Sequence, residues 1–168
     1  VIDYIKGNTL IISPPGGGKT TFLRDLVRVW SNSGKNISVI DERNEISGTY
    51  MGTSQLDLGE RTDVLVNVSK SKGFEMVLRA MAPDVIAVDE IGGQADIEAI
   101  HRAMNCGVTI LSTLHSFNTE DILNKKEISE LVKNRVFDTY IFMNKKFAEN
   151  RVEKICNKEL NIIWQGSL

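Results

Sequence analysis

Long apolar runs and an excess of positive charge are both missing from this sequence of 168 residues. No stretch approaches the ~20 apolar residues that cross a bilayer, and no signal peptide is recognisable. The formal net charge is −2, with 20 Lys and Arg against 22 Asp and Glu. We therefore expect no broad basic surface, which disfavours nucleic acid as the main partner.

Cysteine is scarce as well. Cys106 and Cys156 lie far apart in no spacing typical of a metal site, and we expect two buried thiols in a reducing, intracellular setting. The length suits a single domain with a full-sized core, here residues 1–168. Because the sequence starts at Val1, shortly before an apolar segment, we expect that an N-terminal domain of the full-length protein is absent from it.

Short apolar runs alternate with helical patterns along the chain, which predicts an α/β fold with a parallel sheet covered on both faces. The expected strands are Leu10–Ile12, Ile37–Ile40, Val85–Val88, Val108–Leu111 and Thr139–Met143. Helical spacing is found in Thr21–Trp30, in Ile97–Met104 and from Thr119, which we expect to cap its helix. Residues 145–168 are expected to add a C-terminal β-hairpin.

The segment SPPGGGKT, residues 13–20, lies between the first predicted strand and the first predicted helix. It differs from the phosphate-binding pattern G-x-x-x-x-G-K-[ST] only in its first residue, Ser13. The glycines allow backbone N–H groups to face phosphate oxygens, and the helix dipole favours the negative charge. Lys19 is expected on the β- and γ-phosphates and Thr20 on Mg²⁺. The predicted ATP-binding residues are Pro15, Gly16, Gly17, Gly18, Lys19, Thr20 and Thr21. A glycine-rich turn without a ligand is the alternative.

Acidic residues follow two of the predicted strands. VIAVDE ends in Asp89, which can hold Mg²⁺ through water, and Glu90, which can orient or deprotonate an attacking water. VIDERNE supplies Asp41, Glu42 and Glu45, of which Glu42 is a candidate water-positioning base. Solvated acids at strand ends are the alternative in both places.

Two further side chains are candidate contacts of the terminal phosphate. His115 comes just after the fourth predicted strand, in LSTLHS, and can respond to the phosphate by hydrogen bonding. Arg61, in LGERTDV, can reach a phosphate in its own or a neighbouring subunit. A structural histidine and a surface salt bridge remain open as alternatives.

Four segments, in this order, resemble those of the secretion-type RecA-like ATPases: a Walker A loop, an acid box, a Walker B strand and a histidine box. LRAMAPDVIAVDEIGG and GVTILSTLHSFN carry the last two. With DERNEISG and LGERTDVL, they are similar to a family of sporulation ATPases that serve the channel between mother cell and forespore in endospore-forming bacteria. The resemblance extends over residues 7–145.

The resemblance implies a P-loop NTPase of RecA-like fold that hydrolyses Mg²⁺-ATP at the subunit interfaces of a homohexameric ring. It implies a cytoplasmic protein docked peripherally on a membrane channel complex, on the mother-cell side of the forespore membranes. The family also has an N-terminal domain that helps to form the ring. By position, the resemblance assigns Lys19 and Thr20 to the P-loop, Glu42 to the acid box, Asp89 and Glu90 to the Walker B segment and His115 to the histidine box.

Three other functions stay open at this point. ATP could order a ring scaffold with negligible turnover, although Glu42, Glu90 and His115 favour hydrolysis. An ATPase that depends on single-stranded nucleic acid is disfavoured because no basic stripe is present. A small-molecule kinase ranks last because no Arg-rich lid segment is evident.

Overall fold

The computed structural model describes residues 1–146 and 151–167, which contain eight β-strands and five α-helices. The strands are β1 (Thr9–Ser13), β2 (Ile37–Asp41), β3 (Thr62–Val66), β4 (Val85–Val88), β5 (Thr109–His115), β6 (Thr139–Met143), β7 (Val152–Asn157) and β8 (Ile162–Gln165). The helices are α1 (Lys19–Asn32), α2 (Lys70–Ala80), α3 (Gln94–Asn105), α4 (Thr119–Asn124) and α5 (Lys126–Lys133).

All eight strands join one sheet in the order β3-β2-β4-β5-β1-β6-β7-β8. Strands β1 to β6 pair in parallel, whereas β7 runs antiparallel to β6 and β8 antiparallel to β7. The predicted parallel sheet and C-terminal hairpin are therefore confirmed, and the hairpin extends the same sheet. Residues 147–150 and 168 of the predicted 145–168 extension lie outside the described residues.

Two hydrophobic layers cover the sheet. On one face, α1 packs Leu23 and Val27 against strand residues such as Ile11. On the other, α2, α3 and α5 pack against residues such as Leu10 and Ile86. Each fully buried side chain of this size contributes about 1.5–3 kcal/mol relative to an exposed one. Burial of both strand faces explains why these strands are nearly continuous in Val and Ile.

Two elements, β3 and α2, lack a clear sequence signal. Strand β3 is the edge of the sheet and is only partly buried, with Asp63 exposed. Helix α2 buries only Gly73, Phe74 and Val77, so its apolar stripe is narrow. A Cβ at Gly73 would lie 2.6 Å from Ile40 Cγ2, which shows how closely α2 approaches β2.

Three local expectations are wrong. Cys106 is exposed and only Cys156 is buried, because Cys106 lies at the exposed end of α3. Asn118, rather than Thr119, caps α4 by accepting a hydrogen bond from the Asp121 N–H at 2.9 Å. Strand β5 continues to His115, which is its last residue, whereas the sequence placed His115 just after the strand.

Within the described ranges, no helix has both the length and the apolar character that a membrane span requires.

Candidate functional site at the carboxyl ends of the strands

The candidate site residues meet because the strands that precede them are parallel neighbours. Ser13 at the end of β1 pairs with His115 at the end of β5. The last residue of β4, Val88, pairs with Ser112 of β5, so Asp89 and Glu90 leave the sheet beside them. Ligands of open parallel sheets bind at this carboxyl edge.

The glycine-rich loop is a tight turn that depends on missing Cβ atoms. Gly16 and Gly18 have φ values of 67° and 93°, which favour glycine. Ser13 is buried and its Oγ donates to the Pro14 carbonyl at 2.8 Å. A Cβ on Gly17 would lie 2.3 Å from that Oγ. Serine in place of the first glycine is therefore accommodated because Gly17 leaves room for it.

Lys19 is the first residue of α1 and is only 8% exposed. Its Nζ donates to His115 Nδ1 at 2.7 Å. Burial lowers the pKa of Lys19, and the carboxylates of Asp89, Glu90 and Glu45 oppose that shift. Lys19 is thus a buried cation that hydrogen-bonds to an imidazole and has three carboxylates nearby.

Asp89 joins the glycine-rich loop to β5. Its Oδ2 accepts from Thr20 Oγ1 at 2.9 Å, and its Oδ1 accepts from Thr113 Oγ1. Thr113 Oγ1 in turn accepts from the Glu90 N–H at 2.8 Å. The predicted pair Thr20 and Asp89 therefore lies in contact, and Thr113 connects Asp89 to the backbone of Glu90.

Glu90 occupies the left-handed region with a φ of 48°, which is strained for a residue with a side chain. One carboxylate oxygen lies 3.3 Å from Arg43 Nη1, and the other lies 4.0 Å from His115 Nδ1. Glu90 thus lies close to both the loop lysine and the histidine.

The acids after β2 have different roles. Asp41 is buried and accepts hydrogen bonds from the N–H groups of Glu45, Ile46 and Ser47, so it shapes the loop. Glu42 is exposed and reaches Lys70 Nζ at 3.3 Å. Glu42 and Glu45 both line a small pocket together with Asp89 and Glu90, so the acids after β2 face those after β4.

Lys70 was not predicted. Its Nζ donates to the Glu90 carbonyl at 2.9 Å and lies 3.8 Å from Asp96 Oδ2. It belongs to a run of lysines and serines, SKSK, which has no pattern that would distinguish it from a solvated surface.

The sequence also gave no indication of two cations beside the loop. A Cβ on Gly16 would lie 3.0 Å from Lys145 Nζ, and one on Gly18 would lie 3.4 Å from Arg151 Nη1. Arg151 also lines a cavity of about 590 Å³ that opens beside Gly18 and Thr21. Pro15 and Gly16 are exposed at the rim of the loop.

Arg61 does not join this site. It precedes β3 at the opposite, amino end of the strands, where its Nη1 lies 3.3 Å from Asn36 Oδ1. The prediction that Arg61 could reach a phosphate of its own subunit is therefore wrong, because the sheet separates the two ends. Contact with a neighbouring subunit stays a prediction.

The residues present fit a magnesium nucleotide. Lys19 supplies a buried positive charge at the loop, and Thr20 and Asp89 supply adjacent oxygens of the kind that Mg²⁺ prefers. Mg²⁺ usually binds through one or two protein oxygens together with substrate phosphates. The pair matches that requirement.

Comparisons with known proteins match this chain to one protein family and to individual relatives. Residues 2–163 match the family described as "Sporulation stage III, protein AA". The chain is 37% identical over 161 residues to Stage III sporulation protein AA of Bacillus subtilis (strain 168), covering 93% of this chain and 52% of that protein. It is 29% identical over 123 residues to the type IV pilus assembly ATPase PilB of Pseudomonas aeruginosa, covering 71% of this chain and 20% of PilB.

Solved structures share the fold. The VirB11 ATPase of the Brucella suis type IV secretion system has a TM-score of 0.60 and 13% identity, over 90% of this chain and 48% of that one. The chain spans about half the length of the sporulation relative, at 52%. These matches confirm the resemblance to secretion-type ATPases that the four motifs predicted.

Proposed function

Because this chain belongs to the family Sporulation stage III, protein AA, we propose that it binds Mg²⁺-ATP at the glycine-rich loop and hydrolyses it. The hydrolysis powers assembly of, or transport through, a secretion-like channel between mother cell and forespore during endospore formation. The relatives support this proposal, since PilB and VirB11 are both named as ATPases.

One observation carries the proposal: the loop lysine contacts the histidine that ends β5, and the loop threonine contacts the first acid after β4. Lys19 Nζ lies 2.7 Å from His115 Nδ1, and Thr20 Oγ1 lies 2.9 Å from Asp89 Oδ2. A glycine-rich turn with a purely structural role needs no buried ammonium group, because burying a charge is costly unless it is compensated. Nucleotide phosphates would supply that compensation.

Each residue then has a definite task. Backbone N–H groups of Gly16 and Gly18 would face the phosphates, and Thr21 would lie beside the α-phosphate end. The Gly17 N–H donates to the Pro14 carbonyl at 3.1 Å and closes the turn. Lys19 exchanges His115 for the β- and γ-phosphates, which leaves the imidazole able to respond to the terminal phosphate.

Glu90 acts as the general base. It accepts a proton from a water molecule while the water oxygen bonds to the γ-phosphorus and the bond to ADP breaks. Glu42 helps to orient that water. Lys70 Nζ lies 3.3 Å from the Glu42 carboxylate and donates to the backbone carbonyl of Glu90.

Thr20 and Asp89 would hold Mg²⁺, with Asp89 acting through water. The ion supplies charge neutralisation at the phosphate oxygens. Thr113, which donates to Asp89, keeps the carboxylate in its orientation.

We extend the proposal to the assembled protein. It forms a homohexamer at the cytoplasmic face of a membrane channel complex, on the mother-cell side. Arg61, which lies at the opposite edge of the sheet from the loop, would serve the site of a neighbouring subunit.

The test is a single-turnover ATPase assay on the full-length, assembled protein. Glu90→Gln should lower the hydrolysis rate by about 100-fold or more, because general-base catalysis contributes on this scale. ADP affinity should stay within about threefold of wild type, since the amide keeps the shape of the carboxylate. This change is smaller than the tenfold change to which about 1.4 kcal/mol corresponds.

The matched control is Glu98→Gln, on the exposed surface of α3, which should leave hydrolysis unchanged. Hydrolysis unaffected by Glu90→Gln would contradict the mechanism. Nucleotide binding by wild type without turnover would indicate the ring scaffold instead.

A further inference from the structure

Lys70 lies where three separate segments meet. Its Nζ is 3.3 Å from Glu42 Oε2 after β2 and 3.8 Å from Asp96 Oδ2 in α3. It also donates to the Glu90 carbonyl at 2.9 Å, in the turn after β4. The side chain is only 18% exposed. One cation therefore contacts both glutamates of the proposed reaction.

The position of Lys70 is not explained by the stability of its helix. Lys70 is the first residue of α2, and a second lysine, Lys72, also lies in the first turn. Positive charge at a helix N-terminus is opposed by the helix dipole. The contacts of Lys70 with the acid segments compensate for this unfavourable place.

The close packing of α2 against β2 determines how far Lys70 reaches towards the acidic residues. Gly73, one turn further along α2, lies against Ile40 of β2, and a Cβ there would come within 2.6 Å of Ile40 Cγ2. Because the helix approaches the strand this closely, its first residue reaches the acids that follow β2 and β4.

The backbone at Glu90 is strained, and hydrogen bonds to both its N–H and its carbonyl group hold it in place. Its φ of 48° is unfavourable for a residue other than glycine. On one side the Glu90 N–H donates to Thr113 Oγ1 at 2.8 Å, and on the other the carbonyl accepts from Lys70. The Ile91 N–H donates to the Thr113 carbonyl at 3.0 Å.

We infer that Lys70 is a positioning residue for ATP hydrolysis: it holds the strained backbone of Glu90 and pairs with Glu42, so that the two carboxylates face the same water. This inference rests on the proposed function. Lys70 acts through the two glutamates and does not touch the nucleotide. Its positive charge also offsets the repulsion between neighbouring carboxylates.

The test compares Lys70→Met and Lys70→Arg in the full-length protein. Lys70→Met should lower kcat by about 30-fold, because small misplacements of catalytic groups have large effects on rate. KM for ATP should stay within about threefold, since the phosphate contacts are intact. Lys70→Arg keeps the charge and should recover kcat to within about fivefold of wild type.

A second measurement does not need turnover. Hydrogen exchange at the Glu90 and Ile91 amides should be faster by about tenfold or more in Lys70→Met, because local opening becomes easier when a supporting contact is lost. It should be close to wild type in Lys70→Arg. The matched control is Lys72→Met, which lies two residues further along α2 and is exposed.

The outcomes separate this inference from the proposed function. If wild type does not hydrolyse ATP, the proposed function fails, and the exchange rates alone decide whether Lys70 holds the turn. If kcat falls without faster exchange at Glu90, or exchange rises without loss of kcat, the inference is overturned. Uniformly faster exchange across the whole sheet would overturn it too, because Lys70 would then be a general structural residue.

Discussion

Polar side chains lie at both ends of the parallel strands, but their partners differ. At the amino ends, an Asn or Asp residue directly precedes β1, β4 and β6. Asn8 Oδ1 accepts from the Ile110 N–H at 2.8 Å, and Asp138 Oδ2 accepts from the Asn8 N–H at 2.9 Å. Asp84 Oδ2 likewise accepts from a backbone N–H at 2.8 Å. These side chains complete the hydrogen bonding of the backbone where the strands begin.

At the carboxyl ends, Asp41 also bonds backbone N–H groups, but the residues of the glycine-rich loop bond other side chains. Lys19 contacts His115 across 96 positions of the chain, and Thr20 contacts Asp89 across 69. Such pairs satisfy the groups in the free protein, yet an incoming phosphate or metal ion can replace either partner. The comparison distinguishes structural polar residues, which bond the backbone, from residues available to a ligand, which bond other side chains.

The largest expected effect comes from the carboxyl ends. Lys19→Ala should weaken ADP and ATP binding by about 100-fold or more, or about 2.7 kcal/mol, because a charge-assisted contact with phosphate is lost. The free energy of unfolding should change by less than about 1 kcal/mol, since removing a desolvated charge offsets the lost packing. Calorimetric titration and thermal unfolding measure the two quantities.

The control for this prediction is Lys133→Ala, an exposed lysine in the last turn of α5, which should bind nucleotide normally. Wild-type affinity in Lys19→Ala would contradict the assignment of the phosphate site. A large loss of stability would instead place Lys19 among the structural residues.

The two ends also differ in how far they could be predicted from sequence. Gly16 to Thr20 follow a pattern imposed by phosphate chemistry, so the sequence alone indicated the loop. Lys70 could not be found in this way, because its role depends on the approach of α2 to β2. That approach depends on Gly73, and a glycine in a helix gives no signal of what it packs against.

The location of Arg61 in the fold could not be predicted from the sequence either. Arg61 lies in a segment shared with the resembling ATPases, and the sequence could not indicate at which end of the sheet it lies. Strand β3, which it precedes, has only a partly buried pattern and was not predicted. Because Arg61 directly precedes β3, a sequence analysis that misses β3 cannot show at which end of the strands Arg61 lies.

A smaller effect is expected at the amino ends, and on stability alone. Asn8→Ala removes the acceptor of the Ile110 N–H and the donor to the Val136 carbonyl at 2.9 Å. A buried donor left without a partner costs about 1–3 kcal/mol, so we expect a loss of about 2 kcal/mol. The melting temperature should fall by about 4–8 °C for a domain of this size.

The nucleotide affinity of Asn8→Ala should stay within about twofold of the wild-type value. That is well below the tenfold change to which about 1.4 kcal/mol corresponds. The matched control is Asn105→Ala at the exposed end of α3, where a surface substitution should change stability by less than about 0.5 kcal/mol. A drop in affinity without a drop in stability would contradict the division between the two ends.

The smallest expected effect is a pH dependence confined to the carboxyl ends. Burial lowers the pKa of Lys19 in the free protein, and bound phosphate should raise it again, because an opposite charge favours the ammonium form. Affinity for ADP should therefore be complete below the free-protein pKa of Lys19 and should fall as the pH rises through it. The stability of the free protein should change in the opposite direction and increase over the same range, since the neutral amine is easier to bury.

Calorimetry in buffers of different ionisation enthalpy would detect the proton taken up on binding. Uptake should rise as the pH increases towards the ordinary lysine pKa, and should be the same in Asn8→Ala, which alters only the amino ends. Uptake that stays constant over this range would show that Lys19 keeps its proton throughout. The buried ammonium group would then need a permanent anionic partner, and the carboxyl ends would resemble the amino ends in having their polar groups fully paired before any ligand binds.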